Sequence, residues 1–372
     1  MTQWFYPAFK AGGPVRACHN LALLLRNQYD VYIYTTDRDL QSKNAYATIT
    51  ADQWVDFSDH IKVFYASQES LRWNKIRKEI QEIRPAHVYL NGMYSMYFTI
   101  YPLLMKRLGS LTMPIILSPR GMLKQSALQF KYLKKKSFLN LFRFLKINKG
   151  ISFHATDEQE KNDIIRIFGS DNTIDLIQDI PPRPEESLFP LDKRAGELKL
   201  IFIGRIHPIK NLHFVLECLK KLTQKIEFTV VGPVEDRAYY QYCKRLAGSV
   251  PPNINVRFLG EVANDQIKSH LQRHHFMILP TFGENYCYSI VEAFCASRPV
   301  IITDQTPWQG LSEKKIGWDL PVNDQKDFLE ALNKAAAMLQ GEFTEWSGSA
   351  LNFSQKLFEA DAYRSQYAEM FS

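Results

Sequence analysis

The sequence predicts an α/β protein of two domains, each built on a parallel sheet covered by helices. Its 372 residues exceed what one ordinary hydrophobic core accommodates. Short apolar runs alternate with longer amphipathic stretches in both halves, which is typical of parallel strands joined by helices. A polar stretch with four prolines, 180–197, separates the halves. We therefore expect an N-terminal domain over 1–180, a linker over 181–197 and a C-terminal domain over 198–354.

The N-terminal half has little sequence for a first strand, because only TQWFYP (2–7) is available for it before the loop with the Gly12-Gly13 pair. Pro14 is favourable in a first helical turn, so a helix is expected there, with bare glycine backbone at its N-terminus suited to a phosphate or a sugar. The alternative is that both glycines serve only the turn. The segment 45–66 predicts an extra pair of strands. Four other runs are strand-like: DVYIYTT (30–36), AHVYLNG (86–92), PIILSP (114–119) and GISFHAT (150–156).

The C-terminal half contains five strand-like runs, each followed by a helical one: LKLIFIG (198–204), EFTVVGP (227–233), INVRFLG (254–260), HFMILPT (275–281) and RPVIITD (298–304). Open parallel sheets bind ligands outside the carboxyl ends of their strands. The residues directly after these strands are therefore the candidates for a binding site. The last stretch, about 355–372, predicts a helix that packs back on the N-terminal domain.

The composition is that of a globular protein, with 45% hydrophobic and 23% charged residues. There is no run of eighteen apolar residues, and the N-terminus has no basic leader followed by an apolar stretch. The five cysteines are scattered without a CxxC pair, which predicts neither a disulfide framework nor a zinc site. We therefore expect a cytoplasmic protein.

Positive charge is concentrated in one segment, because 120–150 holds nine basic residues and no acidic one. Three interpretations stay open. The stretch 133–146 could lie on an anionic membrane, giving a peripheral contact through 131–149. It could equally pack its Leu and Phe side chains on the domain and leave its lysines in solvent. Nucleic-acid binding ranks third, since no recognised nucleic-acid module surrounds the segment, and we expect no nucleic-acid partner.

The strongest functional signal is GENYCYSIVEAFCASRPVIITD. Glu284 and Glu292 lie eight positions apart between two predicted strands, so Glu284 precedes a helix that contains Glu292. The backbone amides near Ser289 and Ile290 stand at the start of that helix, where an anion is stabilised. The alternative is a pair of solvated surface acids.

The second signal is the loop GRIHPIKNL, directly after the first strand of the C-terminal half. Gly204 permits a tight turn. Arg205 and Lys210 are five residues apart and offer two cations to one anion, such as a phosphate. The alternative is that both are ordinary surface charges.

In their order and spacing these motifs resemble the retaining glycosyltransferases of family 4, which have the GT-B fold. The markers are the Glu-x7-Glu pair with EAFCASRPVI, the GR-x4-K loop, VVGP at 230–233, FLGEV at 258–262 and the opening GGP. The resemblance covers nearly the whole chain. It implies two Rossmann-like domains that face each other across a cleft, with the nucleotide-sugar donor bound mainly by the C-terminal one.

Carried over residue by residue, the resemblance implies catalytic roles for Glu284, Arg205 and Lys210. The two cations would neutralise the donor diphosphate, and Glu284 would hold hydroxyls of the donor sugar together with the backbone of Asn285 and Tyr286.

Further donor-binding positions follow from the same resemblance. Glu292 would accept hydrogen bonds from the ribose, Val262 would meet the base through its backbone, and Gly12 and Gly13 would approach the diphosphate. The remaining donor-binding positions are Gly204, Ser289 and Ile290.

The chain departs from the family pattern at two places. The family usually has Gly-Phe-Gly after the first Glu, where this chain has Asn285-Tyr286-Cys287. Many members place a His after an N-domain strand that here ends in LSPRGML. Arg120 occupies that region, as in a subgroup acting on surface polysaccharides, and is predicted to contact donor or acceptor.

The resemblance implies metal-independent, retaining transfer of a sugar from a UDP- or GDP-hexose to a glycan or lipid-linked acceptor in surface polysaccharide biosynthesis, such as capsule or lipopolysaccharide. A position at the inner face of the cytoplasmic membrane goes with such an acceptor. The alternatives are a nucleotide-sugar epimerase or hydrolase on the same fold, and a non-catalytic nucleotide-binding scaffold at the membrane. TDRD (36–39) contains an Asp-x-Asp pattern known from metal sites, which is here predicted to be a solvated loop.

Overall fold

The computed structural model describes residues 1–129 and 132–372 and divides into two compact units. The first comprises Met1–Ile180 and Ala360–Ser372, and the second comprises Pro181–Glu359. Each unit contains parallel strands connected by helices, so the predicted α/β fold of two parallel-sheet domains is confirmed.

The first unit contains two sheets. One consists of three strands in the order β1-β3-β2: β1 (Val31–Thr36), β2 (Trp54–Ser58) and β3 (Ile61–Ala66). The segment 45–66 thus supplies β2 and β3, as predicted. The other sheet has four parallel strands in sequence order: β4 (Val88–Asn91), β5 (Ile115–Ser118), β6 (Ser152–Ala155) and β7 (Ile174–Leu176).

The first three residues connect these two sheets. The Thr2 amide donates to the carbonyl of Tyr34 in β1 over 3.1 Å, and Thr2 forms a parallel bridge with Asn91 of β4. The Asn91 amide in turn donates to the Met1 carbonyl over 3.0 Å. This short segment therefore takes the place of a strand between β1 and β4, and the chain after it emerges at the carboxyl end of the sheet.

Six helices of the first unit follow in chain order: α1 (Gly13–Leu25), α2 (Trp73–Ile83), α3 (Tyr101–Arg107), α4 (Gln125–Gln129), α5 (Tyr132–Phe144) and α6 (Glu158–Phe168). A π-helical turn, Met96–Ile100, precedes α3. Local sequence explains where α6 begins, because the Asp157 carboxylate accepts from the Glu160 amide over 2.6 Å and so caps the helix.

The second unit is built on one six-stranded sheet in the order β10-β9-β8-β11-β12-β13, and all its neighbouring strands are parallel. The strands are β8 (Glu197–Ile203), β9 (Lys225–Val231), β10 (Ile254–Gly260), β11 (Phe276–Leu279), β12 (Val300–Thr303) and β13 (Gly317–Leu320). Every residue of β11 and β12 is buried, as expected for central strands covered on both faces.

The helices of the second unit are α7 (Leu212–Leu219), α8 (Arg237–Ala247), α9 (Asn264–Gln272), α10 (Tyr288–Cys295), α11 (Gln325–Ala337) and α12 (Gln340–Leu357). The helix α12 is the longest of the described helices, with 18 residues. In the described part of the chain, no helix combines the length and the apolar character needed to cross a bilayer.

Residues 181–197, expected as a linker, are hydrogen-bonded to the second unit. The buried Lys193 ammonium donates to the carbonyls of Ala336 and Met338 over 3.0 and 3.1 Å. The Arg298 guanidinium donates to the Phe189 carbonyl over 3.1 Å. These hydrogen bonds hold residues 181–197 against the second unit, next to α11 and the start of β12.

The last helix, α13 (Ala360–Met370), belongs to the first unit. Its Tyr363, Tyr367 and Met370 are buried in one apolar cluster with residues of α1, β5 and the segment after β7: Leu21, Leu24, Leu25, Ile116, Ile177 and Ile180. Burial of these aromatic and apolar side chains holds the C-terminus on the N-terminal unit.

Candidate functional site

Three glycines at the carboxyl ends of β8, β9 and β10 bring the backbone close together. The Gly204 amide donates to the Val231 carbonyl over 3.0 Å, and the Gly232 amide donates to the Gly260 carbonyl over 2.8 Å. Gly232 has φ 140°, and a Cβ atom there would stand 2.0 Å from the Gly204 carbonyl oxygen. Only glycine fits such a position. The glycine of the VVGP motif is therefore required by the close approach of the backbone at Gly204.

The loop after β8 is attached to the loop after β9. The Ile206 amide donates to the Pro233 carbonyl over 2.8 Å, and the Asp236 amide donates to the Ile206 carbonyl over 3.2 Å. Arg205 forms an ion pair of 2.6 Å with Glu235, and its side chain is 40% exposed. Arg205 is thus held at the edge of the sheet, where an anion from solvent can reach it.

Lys210 ends a short 3-10 turn, Pro208–Lys210. The Lys210 amide donates to the His207 carbonyl over 2.9 Å. The next residue, Asn211, is buried with a left-handed backbone, and its side-chain amide donates to the Asn323 side chain over 3.0 Å. The backbone around Lys210 is therefore fixed by turn chemistry and by a tertiary hydrogen bond.

Lys210 and Glu284, 74 residues apart in sequence, form an ion pair at the carboxyl ends of β8 and β11. Their side chains are 13% and 12% exposed. Since β8 and β11 are adjacent in the sheet, the loops that follow them meet. The Phe282 amide and the Thr281 hydroxyl both donate to the Ile209 carbonyl, over 2.9 and 3.2 Å, and join these loops directly.

The loop that carries Glu284 is also supported from the side of β12. The Glu284 amide donates to the Gln305 carbonyl over 3.1 Å, and the indole of buried Trp308 donates to the Tyr286 carbonyl over 2.7 Å. The rings of Trp308 and Tyr286 pack edge to face with centroids 5.4 Å apart. Sequence reasoning missed Trp308 and Glu235. Glu235 lies two residues and Trp308 four residues after the end of a predicted strand, and this position was the available signal.

Cys287 stands where the family pattern has its second glycine. Its backbone is left-handed, with φ 62° and ψ 75°. Glycine adopts this conformation without strain, whereas a residue with a side chain does so at a cost of about 1–2 kcal/mol. Burial, with Glu284 nearby, raises the pKa of the Cys287 thiol to about 12, so the thiol is neutral at physiological pH.

The helix α10 starts at Tyr288, four residues after Glu284, and contains Glu292 in its second turn. Glu292 is buried, at 8% exposure, and Ile290 is fully buried, whereas Ser289 is half-buried. The structure therefore places one acid before the helix and the other within it. The positive end of the helix lies between them.

The other predicted donor-binding positions belong to different units. Val262 is half-buried in the loop between β10 and α9, on the second unit. Gly12 and Gly13 lie in the first unit, where Gly12 has φ 67° and precedes the first residue of α1. Their contact with a donor stays a prediction.

The Asp-x-Asp pattern at 36–39 is buried, so the prediction of a solvated loop is wrong. Asp37 and Asp39 are 3% and 6% exposed. One carboxylate oxygen of Asp39 accepts from the amides of Phe9 and Lys10 over 3.0 and 3.3 Å. Asp39 thereby fixes the loop that leads to the glycine pair.

Arg120 is buried within the first unit. Its Nε donates to the Asn91 side chain over 2.6 Å, one Nη forms an ion pair with Asp179, and the other Nη donates to the Tyr89 hydroxyl over 2.9 Å. The Arg120 and Asp179 side chains are 5% and 6% exposed. Because each guanidinium nitrogen has a protein acceptor, this geometry favours a structural role over the predicted contact with donor or acceptor.

The buried His154 belongs to the same network. Burial, together with the charge of Arg120, lowers its pKa to about 3, so the ring is neutral. Its Nε2 lies 2.8 Å from the Ile177 carbonyl, which only accepts, so Nε2 carries the proton. Nδ1 then accepts from the Tyr89 hydroxyl over 2.6 Å.

Within 1–129 and 132–372, no three His, Cys, Asp or Glu side chains lie close enough together to hold a metal ion.

Residues 197–337 match the family model described as "Glycosyl transferases group 1". An uncharacterized glycosyltransferase of Methanocaldococcus jannaschii, MJ1178, is 22% identical over 309 residues, which cover 82% of this chain and 78% of the relative.

Two solved structures resemble the chain over nearly its full length. Anabaena HepE, solved in complex with UDP and glucose, has a TM-score of 0.71 at 13% identity and covers 99% of this chain and 98% of its own. WaaG, a glycosyltransferase involved in lipopolysaccharide biosynthesis, has a TM-score of 0.67 at 13% identity and covers 100% and 98%. The chain therefore has the fold of these GT-B proteins, and the group 1 match in its second unit supports a glycosyltransferase.

Proposed function

We propose that this protein is a retaining glycosyltransferase of family 4 character that uses a UDP- or GDP-hexose as donor. The observation that carries the proposal is the Lys210–Glu284 ion pair, which lies before the N-terminus of α10 at the carboxyl ends of adjacent parallel strands. Arg205 follows one of the same strands. All three residues lie within the segment that matches the group 1 glycosyltransferase model.

Arg205 and Lys210 bind the donor diphosphate in this proposal. Each already has a carboxylate partner, Glu235 and Glu284, and the diphosphate provides a stronger anionic acceptor. As the nucleoside diphosphate departs, negative charge grows on its phosphate oxygens. Two cations and the helix N-terminus stabilise that charge electrostatically, so we propose that the reaction needs no metal.

Glu284 binds the donor sugar. An ionised carboxylate only accepts hydrogen bonds, so it recognises sugar hydroxyls, and the amides of Asn285 and Tyr286 contribute donors beside it. Glu292, buried in α10, accepts from the ribose hydroxyls. The backbone at Val262 meets the base.

Retention of anomeric configuration is proposed to occur by displacement on one face of the sugar. Glu284 is engaged by Lys210 and serves as a binding group, and Glu292 is buried within α10, so neither acid is assigned as a covalent nucleophile. The bond from the anomeric carbon to the phosphate oxygen breaks as the bond to the acceptor oxygen forms. The acceptor's hydroxyl proton passes to the departing phosphate.

The acceptor is proposed to be a glycan or lipid-linked glycan in surface polysaccharide biosynthesis, handled at the inner face of the cytoplasmic membrane. The role of WaaG in lipopolysaccharide biosynthesis supports this class, as does the complex of HepE with UDP-glucose for the donor. A ligand-binding screen identifies which hexose and which base the donor carries.

A thermal-shift screen against UDP, GDP and their hexose conjugates tests the donor first. A ligand that binds only the folded chain at a hundredfold excess over its Kd adds about 2.7 kcal/mol of stability, so the matching nucleotide raises Tm. Lys210→Ala and Arg205→Ala should each require more donor for the same shift. An unchanged shift in both variants would contradict the diphosphate assignment.

Product analysis separates the remaining alternatives. An acceptor-dependent product with the anomeric configuration of the donor supports retaining transfer. Donor consumption without any acceptor would instead identify an epimerase or a hydrolase. Nucleotide binding without turnover on any acceptor tested would identify a scaffold.

A further inference from the structure

The helix α5 packs one face on the first unit. Phe138 and Leu139 lie four and three positions before Phe142, and Leu139 and Phe142 are 7% and 1% exposed. The Phe138 ring packs edge to face on Tyr94, with centroids 5.3 Å apart. This face agrees with the expectation that the basic segment packs Leu and Phe side chains on the domain.

The opposite face of α5 also carries large apolar side chains, and these are exposed. Leu133, Leu141 and Phe144 are 78%, 55% and 82% exposed. At about 3.6 residues per turn they project on the side away from Phe138 and Phe142. Packing on the domain therefore accounts for only half of the apolar residues of this helix. An exposed apolar stripe of this kind marks an interaction surface.

Cations flank the exposed stripe on both sides. At the same helical period, Lys134 projects on one side of the stripe, and Lys136 and Arg143 project on the other. All three side chains are exposed. The whole stretch 83–156 contains twelve basic residues and no acidic one. Apolar side chains bordered by cations are typical of helices that lie in a membrane interface.

The same surface continues beyond α5. The Arg107 guanidinium, at the end of α3, donates to the Leu145 carbonyl over 3.3 Å. Leu108 beside it is 70% exposed, and Leu145 is 41% exposed. Further apolar and cationic side chains thus adjoin the stripe.

We propose that this face of α5, formed by Leu133, Leu141, Phe144, Lys134, Lys136 and Arg143 and here named the interfacial face, binds the surface of a bilayer containing anionic phospholipid. The cations are attracted to the negative headgroups, and the three apolar side chains enter the boundary between headgroups and acyl chains. Lys131, part of the expected contact 131–149, lies outside the described residues and is not included.

A nucleic acid fits the interfacial face less well. Binding to a phosphate backbone is accounted for by cations alone and gives no role to exposed Leu133, Leu141 and Phe144. The proposal also differs from the donor site, which lies on the second unit. Membrane binding and nucleotide binding are therefore measured independently.

The test is sedimentation of the full chain with vesicles of phosphatidylcholine alone or mixed with phosphatidylglycerol. Wild type should bind the mixed vesicles far better, and less well at high salt. Each cation near an anionic surface contributes roughly fivefold to the partition coefficient, so changing Lys134, Lys136 and Arg143 together to Gln should lower it roughly a hundredfold. Changing Leu133, Leu141 and Phe144 together to Ser should lower it roughly tenfold or more.

The control substitutions lie on the second unit. Leu259→Ser with Leu339→Ser removes apolar side chains that are 45% and 67% exposed. Changing Arg257, Lys326 and Lys356 to Gln removes three exposed cations. Both control variants should sediment with mixed vesicles as wild type does. All variants should keep the thermal shift of wild type with nucleotide, which shows that they are folded.

Two outcomes would overturn the proposal. One is equal sedimentation of wild type and of both interfacial-face variants with mixed vesicles. The other is binding that the Ser variant retains in full and that a DNA duplex abolishes by competition, because that would describe a general polyanion site. If nucleotide gives no thermal shift with wild type, the proposed function is contradicted. The sedimentation result still tests membrane binding on its own.

Discussion

The Lys210 ammonium donates to the Glu284 carboxylate and so joins the loops that follow β8 and β11. Both side chains are nearly buried, which removes the competing water that makes surface pairs weak. In the proposed mechanism the same two side chains meet the donor at neighbouring points, one at the phosphate and the other at the sugar. The ion pair therefore holds both side chains at the proposed donor site before a ligand binds.

Glu284→Gln should impair transfer while sparing the binding of free nucleotide. The substitution keeps the shape of the side chain but removes the charge that accepts from the sugar hydroxyls. A hydrogen bond to a charged group is worth about 1.5–3 kcal/mol, so kcat/KM for the donor should fall by roughly tenfold to a hundredfold. Steady-state kinetics and the Kd of free UDP or GDP measure the two effects.

Glu235→Gln is the control, because Glu235 pairs with Arg205 and is assigned no contact with the sugar. Its effect on kcat/KM should be much smaller. Combining Glu284→Gln with Lys210→Ala should cost less than the sum of the single changes, as expected for side chains in direct contact. Additive losses would mean that the two residues act separately.

Gly232→Ala should destabilise the second unit strongly. The new Cβ would stand 2.0 Å from the Gly204 carbonyl oxygen, and the backbone has φ 140°. The backbone conformation alone costs about 1–3 kcal/mol in a residue with a side chain, and the clash adds to it. Urea denaturation followed by circular dichroism measures the loss.

Gly348→Ala, within α12, is the matched control for this change. A Cβ at Gly348 has no neighbour within 4 Å. Alanine in a helix interior is about 1 kcal/mol more favourable than glycine, so this variant should be slightly more stable than wild type. If both variants unfolded at the wild-type urea concentration, the close approach of Gly232 and Gly204 would be excluded.

Much of the second unit could be predicted from its sequence, because the relevant signals are local. Apolar runs followed by amphipathic ones predicted β8 to β12 but not β13, and the spacing of Glu284 and Glu292 predicted one acid before α10 and one within it. Those features depend on periodicity along a few turns or strands.

The partners of the site residues could not be predicted, because they come from distant parts of the chain. Glu235 meets Arg205 across 30 positions, and Asp39 meets the Phe9 amide across the same span. The burial of the Arg120 guanidinium depends on its ion pair with Asp179, which lies 59 residues away in sequence. Nothing local distinguishes a buried acid that fixes a loop from a solvated one, so the Asp-x-Asp segment was assigned wrongly.

Trp308→Phe should raise KM for the donor more than it lowers kcat. The variant keeps an aromatic ring against Tyr286 but leaves the Tyr286 carbonyl without the 2.7 Å hydrogen bond from the indole. Loss of a partner by a buried acceptor costs about 1–3 kcal/mol, and the loop with Glu284 should become less ordered. Kinetics at varied donor concentration give the two constants, and Phe353→Leu, at a neighbouring ring, controls for altered packing. Equal constants in Trp308→Phe and wild type would remove Trp308 as a positioning residue.

Cys287→Gly should be more stable than Cys287→Ala. Both substitutions remove the thiol, but only glycine also removes the Cβ from a left-handed backbone with φ 62°. That relief is worth about 1–2 kcal/mol, and the greater freedom of glycine in the unfolded chain offsets about 0.4–1 kcal/mol of it. A net advantage of roughly 0.5–1 kcal/mol for glycine is therefore expected in urea titrations. If alanine were the more stable of the two, the left-handed conformation at Cys287 would be contradicted.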